Sequence, residues 1–511
     1  MKTRMNKRQT FINLIMNTVA FAVQFVISFY ISPLIVSNVG ASAYGFIGVA
    51  TDFVSYASII ATVFNSVASR FIADAFYRKD YKRANDYFNS LIVTNIIIVA
   101  VLGLAGMILV PNLDKILTIP INLLFDVKLT FALVFLAYIV QLVTLVFTTS
   151  TFVTNRTDIQ GGRNIIQYIV RFALIIVFLN FVSIRIYWVA FASLVATIVV
   201  AIMNVGLTKS LTPELKISIK GARKEYAIEL GKAGCWMALT SISTILLRGL
   251  DLTVANILIG DYEMGLLSIA RTMPNNVTSI INTMAPIFTP VFLANYSIGN
   301  LSGVMREVKD SIKIMALLLF VPISGFIVFS YDFYALWQKS LSHEELVIVT
   351  ALSIITVVQA YFNSTTATMA QLSVVVNKLK LPVIVSFICG VVSVIAEIYM
   401  IVVLDLGLYG IVLSTTIVMI LRYVFFNSFY AAWCLKEKKA VFLPETVKTW
   451  LSIPLLLGFM YLVRKALPIS SWVDFLIDVA ICGFLGYLFM VLFYGRKYLG
   501  KFLKGLKKGN G

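Results

Sequence analysis

The chain has 511 residues, 59% of them hydrophobic and 13% charged, with a formal net charge of +18 and a mean hydropathy of +0.91. Soluble domains sit near 45–50% apolar and about 25% charged, so this composition excludes a soluble globular protein and defines an integral membrane protein. The apolar residues come in long unbroken runs rather than in ~10-residue alternating segments, which excludes an outer-membrane barrel and predicts an all-α chain.

A window of about 20 residues predicts fourteen transmembrane spans. They cover 10–36, 43–67, 89–111, 129–151, 165–182, 187–206 and 233–258, then 265–294, 314–332, 345–372, 382–404, 408–433, 449–463 and 472–494. The basic opening, residues 1–8, leads into a span too long for a signal-peptide core, with no small-residue cleavage site after it, so no cleaved signal is expected. With the N-terminus placed inside, 32 of the 42 Lys and Arg fall in inner segments and six in outer ones. The positive-inside rule then predicts both termini in the cytoplasm. The +18 charge therefore reads as membrane topology rather than as an affinity for nucleic acid. Cys235, Cys389, Cys434 and Cys482 lie in or beside apolar runs without metal-like spacing, as small core residues do.

The sequence repeats weakly at an offset of 220 residues. Gly40–Gly45 matches Gly260–Gly265, each an outer turn between two spans; Gln24 faces Thr244, Ser28 faces Arg248, and Asn275 and Asn282 match Ser55 and Thr62. The first span accordingly has its own polar stripe, Asn13, Asn17, Gln24 and Ser28. Parallel tandem halves of about six spans are the signature of a transporter with a central cavity. The expected organisation is an N-terminal lobe at 1–206, a linker at 207–232, a C-terminal lobe at 233–433, and two extra spans with a basic tail at 434–511. Lys216, Lys220, Arg223 and Lys224 interleaved with Ile217, Ile219, Tyr226 and Ile228 make the linker either an amphipathic surface helix or a solvated connector. The outer and inner loops are too short for an attached catalytic domain.

Ions inside the apolar runs carry the functional argument. A charge at the bilayer centre costs roughly 2.5–3.5 kcal/mol on insertion scales, so such residues face a protein-lined cavity or one another. In the seventh span Thr240, Thr244, Arg248, Asp251 and Ala255 recur at helical spacing; in the eighth, Arg271, Asn275, Thr278, Asn282 and Thr289 do the same. The plain alternative is an Arg248–Asp251 pair that only glues helices. Asp52, Arg171, Glu397 and Arg422 are further intramembrane ions, and Arg70 lies near the cytoplasmic mouth. Guanidinium forks suit phosphate and diphosphate. Asp52, Asp251 and Glu397 are candidates for carrying coupling protons or sodium ions, or equally for acting as arginine counter-ions. Gln24, Asn275 and Asn282 are the side-chain type that binds sugar hydroxyls. Pro274, Pro286 and Pro290 predict a kinked eighth helix. No Walker A, GxSxG or HExxH pattern occurs, and the single histidine, His343, sits at a helix start, so neither an enzyme nor a metal or organic cofactor is expected.

Taken together, the opening from Asn13 to Ser28 with Pro33-Leu-Ile-Val-Ser-Asn-Val-Gly40 and Tyr44-Gly45, the Leu247-Arg-Gly-Leu-Asp251 segment closed by Ile259-Gly260, and the fourteen-span plan resemble a known family. It is that of bacterial polysaccharide (Wzx-type) repeat-unit flippases of the multidrug/oligosaccharidyl-lipid/polysaccharide superfamily. The resemblance implies two six-helix lobes around a central cavity plus two C-terminal helices. It implies translocation of undecaprenyl-diphosphate-linked oligosaccharide across the bacterial cytoplasmic membrane for O-antigen, capsule or other surface polysaccharide, with polymerase and chain-length machinery as partners. It also implies that Arg248 and Arg271 are cationic cavity residues and that Asp251 is the acidic position of the seventh span. A lipid II flippase, a multidrug or cation antiporter of the same superfamily, and, from another class, a membrane glycan polymerase or ligase stay open.

Overall fold

A computed structural model describes residues 7–494 apart from 219–220 and 467. The basic tail at 495–511, Ile219 and Lys220 of the linker, and the side chains of Asn13 and Asn17 lie outside the described residues. Among those described, every regular element is helical, and fourteen helices are long and apolar enough to cross a membrane.

These helices are α1 (Lys7–Val39), α2 (Ala41–Tyr77), α3 (Tyr81–Lys115), α4 (Leu124–Val153), α5 (Thr157–Phe181), α6 (Tyr187–Leu211) and α7 (Lys224–Gly249, continued by Asp251–Leu258). The remainder are α8 (Asp261–Ser297), α9 (Leu301–Trp337), α10 (His343–Val375), α11 (Lys380–Val402), α12 (Gly407–Cys434), α13 (Leu443–Lys465) and α14 (Trp472–Tyr494). Hydropathy found their apolar centres and undershot their ends. The α2 and α9 helices have 37 residues each, roughly 55 Å at 1.5 Å per residue, well beyond a ~30 Å hydrocarbon core. Their polar ends continue because the backbone ladder is indifferent to what the side chains face. Capping sets several starts: Asp80 accepts from Arg83 N at 3.0 Å before α3, Asn300 from Gly303 N at 2.9 Å before α9, and Ser342 with Glu345 forms a capping box before α10.

The chain divides into two compact units, Met1–Ser268 and Ile269–Gly511, with α8 running from one into the other. In the first, α2 packs on α1, α3, α4 and α7, while α5 joins α1 to α6 and α6 lies along α4. Thus α7, which the sequence repeat pairs with α1 as the start of a second half, packs with the first six spans. Small residues make that possible. A Cβ at Gly234 would collide with the Val63 carbonyl of α2, and one at Gly231 would come within 3.1 Å of the Phe64 ring. Where α2 meets α8, a Cβ on Gly45 would lie 2.7 Å from Met264 Cε and 3.0 Å from Gly265 Cα. Gly45 and Gly265 are the residues that the 220-residue repeat makes equivalent. Without a hydrophobic drive between helices in lipid, such close backbone approach is what holds helices together.

Polar ties fix the rest of this unit. Asn65 and Asn95 bond each other at 2.8 Å and Asn95 donates to Leu142 O at 3.1 Å, joining α2, α3 and α4. Among its described residues the linker is not one helix: 207–211 finish α6, 212–218 run without regular structure with Lys216, Ile217 and Ser218 exposed, and 224–232 open α7. The reason is that α3 supplies its hydrogen bonds. Asn85 donates to Glu214 O and accepts from Lys216 N, Asn89 donates to Lys216 O and accepts from Ser218 N, and Ser90 does both with Arg223. These side chains replace the intrahelical ladder over that stretch.

In the second unit α9 is central, packing on α8, α10, α13 and α14, with α12 between α10 and α11. A bidentate pair from Arg464 to Asp332, at 2.9 and 2.7 Å, clamps α13 to α9. Cys434 and Cys482 are buried as expected and Cys389 partly so, whereas Cys235 is exposed on α7.

Replacing Gly234 by Val forces α2 and α7 apart and is expected to lower stability by about 1–3 kcal/mol or more. Gly103→Ala, in an α3 position with open space around the added Cβ, is expected to be neutral or stabilising by up to ~1 kcal/mol. Thermal unfolding of the purified protein, followed by tryptophan fluorescence, checks both.

Candidate functional site

The seventh helix is not the straight stripe that its sequence spacing predicts. Its Ile245–Gly249 segment is π-helical, Leu250 interrupts it, and a short helix resumes at Asp251. One inserted residue turns the following face by about 100°, so Thr244 is exposed whereas Asp251 (7% exposed) and Ala255 are buried. Thr240, Thr244, Arg248, Asp251 and Ala255 therefore do not share one face. Such π-turns concentrate at functional sites. This one is held by Tyr56 of α2, whose hydroxyl donates to the Gly249 carbonyl and lies 3.2 Å from Thr253 Oγ1. One turn earlier on the same α2 face is half-buried Asp52, followed towards the turn by Gly48, where a Cβ would meet Leu252. Asp52, Arg248 and Asp251 all have interaction partners, and Arg248 is half-buried. Beyond them Asn256 is locked by two bonds to the Thr118 backbone, 2.8 and 3.1 Å, which fixes the end of α7.

Two other predicted residues belong to this unit and stand apart from that seam. Arg70 is exposed near the end of α2, its guanidinium 5.7 Å from the Phe71 ring centre. Gln24 is exposed on α1 and accepts from the Tyr168 hydroxyl at 3.1 Å. It opens onto a polar cavity of about 160 Å³ that also holds Ser28, Tyr44, Thr51, Tyr168 and Arg171.

Arg271, Asn275, Asn282 and Glu397 belong to the second unit. Arg271 is half-buried and has interaction partners, while Asn275 and Asn282, one and three turns on, are exposed. Pro274 sits within the helical part of α8. Pro286 and Pro290 bracket the change to a 3₁₀ stretch at Ala285–Phe288 and back to helix at Thr289, where the sequence predicts a break. Glu397 is 1% exposed in α11, a turn from Ser393, which donates to Thr415 of α12. A second π-helical segment, Arg422–Asn427, begins at Arg422 in α12. His343 begins α10, as expected, with Nδ1 2.7 Å from the Tyr331 hydroxyl. Among the described residues, no three His, Cys, Asp or Glu converge as a metal-ligand set.

Sequence reasoning found Arg171 but missed the second α5 cation. It left Arg163 in a loop, but α5 begins at Thr157, and Arg163 is 2% exposed with Nε and Nη1 lacking hydrogen-bond partners. Arg163, Gln167 and Arg171 fall four residues apart on one face of α5. The signal was the i, i+4, i+8 spacing, hidden because Arg163 precedes the apolar run. The second unit has a contrasting feature, an apolar groove of about 330 Å³ lined by Pro322, Phe326 and Phe329 of α9, Met460 of α13, and Phe475 and Gly483 of α14.

The sequence matches no protein-family model. It is 26% identical over 437 residues, 84% of this chain and 85% of the relative, to the uncharacterized membrane protein EpsK of Bacillus subtilis (strain 168). Its structure is similar to the lipid II flippase MurJ in an inward closed conformation, with a TM-score of 0.72 and 16% identity over 95% of this chain and 100% of that one. It is also similar to an inward-facing multidrug resistance MATE family transporter of the MOP superfamily, with a TM-score of 0.68 and 14% identity over 83% and 99%. The fold is thus the MATE/MurJ-like fold of the multidrug/oligosaccharidyl-lipid/polysaccharide (MOP) transporters, in a multi-pass membrane protein. The solved structures to which it is similar include a lipid II flippase and a multidrug transporter.

Tyr56→Phe removes the bond to the Gly249 carbonyl of the π-helical segment and the hydroxyl contact with Thr253 just beyond it, at a cost of about 1 kcal/mol. Faster hydrogen exchange of the amides over 245–253, with the other spans unchanged, is the expected result.

Proposed function

We propose that this chain is a flippase that carries undecaprenyl-diphosphate-linked oligosaccharide repeat units from the inner to the outer leaflet of the bacterial cytoplasmic membrane, by alternating access and without covalent chemistry. The observation that carries the reading is the extent of the structural match. The MATE similarity leaves about a sixth of the chain uncovered, whereas the lipid II flippase match spans 95% of it. A small-molecule exporter has no use for further helices; a lipid-bearing substrate does. The apolar groove where α13 and α14 meet α9 fits that need, since a polyprenyl tail can rest against Phe326, Phe329 and Phe475 while the headgroup travels in a polar path.

The headgroup is a diphosphate, and Arg248 and Arg271 are the guanidinium groups assigned to it, each half-buried on a helix interrupted by a π-turn or prolines. Asn275, Asn282 and Gln24 take sugar hydroxyls, and Arg70 attracts the anionic headgroup at the mouth. Asp52, Asp251 and Glu397 are the candidates for proton or sodium coupling, because a carboxylate in a low-dielectric site binds a cation more readily than one in water. Both termini are assigned to the cytoplasm by the Lys and Arg distribution. The polymerase and chain-length machinery of a surface polysaccharide are the partners this substrate requires.

Lipid II as cargo is the second reading, favoured by the same MurJ match. Loss of surface polysaccharide with intact growth on deletion supports the first reading; loss of viability supports the second. Arg248→Ala and Arg271→Ala are each expected to reduce export about tenfold or more and to accumulate lipid-linked glycan in the inner leaflet. Normal export in both variants ends the proposed role for these arginines. Gly483→Leu projects a side chain into the groove without a clash at Cβ and is expected to lower export while leaving thermal stability within about 1 kcal/mol.

A further inference from the structure

The polar cavity of the first unit is built differently from the surfaces used above. Three helices supply most of its polar lining, Gln24 and Ser28 from α1, Tyr44 and Thr51 from α2, and Tyr168 and Arg171 from α5, with Ser268 of α8 and Val189 of α6 closing it. Arg171 is the one cation among its lining residues, and no carboxylate lines it. The titratable groups that face Arg171 are the phenols of Tyr168 and Tyr44. Its Nε is buried and makes no hydrogen bond. A guanidinium kept in the membrane-spanning part of a protein normally has a carboxylate beside it, because unpaired burial is costly. Here hydroxyls and an amide take that place, and all of them also serve as donors to an anion.

Size and donor geometry narrow the ligand. A volume of about 160 Å³ has room for one small oxyanion. A cation is disfavoured by the fixed charge of Arg171. A planar carboxylate is satisfied by the guanidinium fork alone. A tetrahedral oxyanion offers further oxygens in other directions, and donors arriving from three helices match that demand.

We propose that this cavity is a binding site for a single phosphate oxyanion, gripped by the Arg171 fork and completed by Ser28, Thr51 and Tyr168. Gln24 is shared with the sugar-hydroxyl assignment above, but the site stands apart from Arg248 and Arg271 and does not need the flippase reading to be correct. The phosphate is either free inorganic phosphate or the headgroup of a phosphorylated lipid, and the cavity chemistry serves both.

The test uses the full chain purified in detergent, with inorganic phosphate titrated by calorimetry at constant ionic strength. Saturable binding is expected, weakened about tenfold or more by Arg171→Gln and partly kept by Arg171→Lys, which retains charge but loses the fork. Arg78→Gln, at an exposed ion pair with Asp74, is the control for loss of one positive charge and is expected to leave binding unchanged. Because Arg171→Gln can disturb folding, hydrogen exchange of the unmodified protein supplies an independent reading: phosphate is expected to protect the peptide over 165–175. Nanodiscs with and without undecaprenyl phosphate distinguish the sources. Protection of 165–175 by the lipid alone identifies a headgroup site, and protection by inorganic phosphate in both nanodiscs identifies a free-anion site. Absence of protection by either ligand, or equal weakening in Arg78→Gln, overturns the proposal.

Discussion

Backbone-to-backbone contact along α2 is the constraint on which the first unit depends. Gly231 and Gly234 of α7 press against Phe64 and Val63, and Gly45 meets Gly265 at the start of α8. In lipid, apolar surface gains nothing by leaving its surroundings, so helices adhere through close van der Waals contact and the hydrogen bonds it permits. Glycine at these positions lets α7 approach closely enough for Tyr56 to reach the Gly249 carbonyl. That bond in turn spans the π-helical segment carrying Arg248. Packing, helix irregularity and the placement of a charged side chain are thus one linked arrangement.

Buried charge takes two forms, paired and unpaired, and both occur in each unit, Asp126 with Arg185 being a pair in the first and Arg422 Nε lacking a hydrogen bond in the second. In the second unit the pair Arg464–Asp332 is bidentate and local, and it serves to hold α13 on α9. In the first, α5 turns Arg163 and Arg171 inward without carboxylate partners, at positions where a dry hydrocarbon interior would not tolerate them. Uncompensated guanidinium groups are costly in a membrane protein unless water or an anion reaches them. The cavity beside Arg171 is where that condition is met.

Much of this was legible in the residue order. Fourteen apolar runs gave fourteen helices, because a bilayer leaves no other way to satisfy backbone groups. Pro286 and Pro290 marked the irregular part of α8, since a proline cannot donate to the ladder. Ser342 with Glu345 marked the start of α10 through a cap that needs only local geometry. The site was less legible. Arg163 looked like a loop residue because hydropathy averages over neighbours and cannot tell a helix end inside the protein from one outside it. The linker's charges alternate with isoleucines, a pattern that suits an amphipathic helix or a solvated connector alike, and Asn85, Asn89 and Ser90, distant in sequence, take up its backbone groups.

By itself, then, the sequence determined that the chain lives in a membrane, which runs are long and apolar enough to cross it, and which side chains are too polar to face lipid. Those properties follow from transfer free energies, which each residue carries independently of its neighbours. Only the tertiary structure decided which polar groups meet. It broke the straight stripe of α7 with a π-turn, packed α7 with the first six spans, and gathered Gln24, Tyr168 and Arg171 into one cavity. Contacts of that kind depend on the approach of helices far apart in the chain, and no local periodicity encodes that distance.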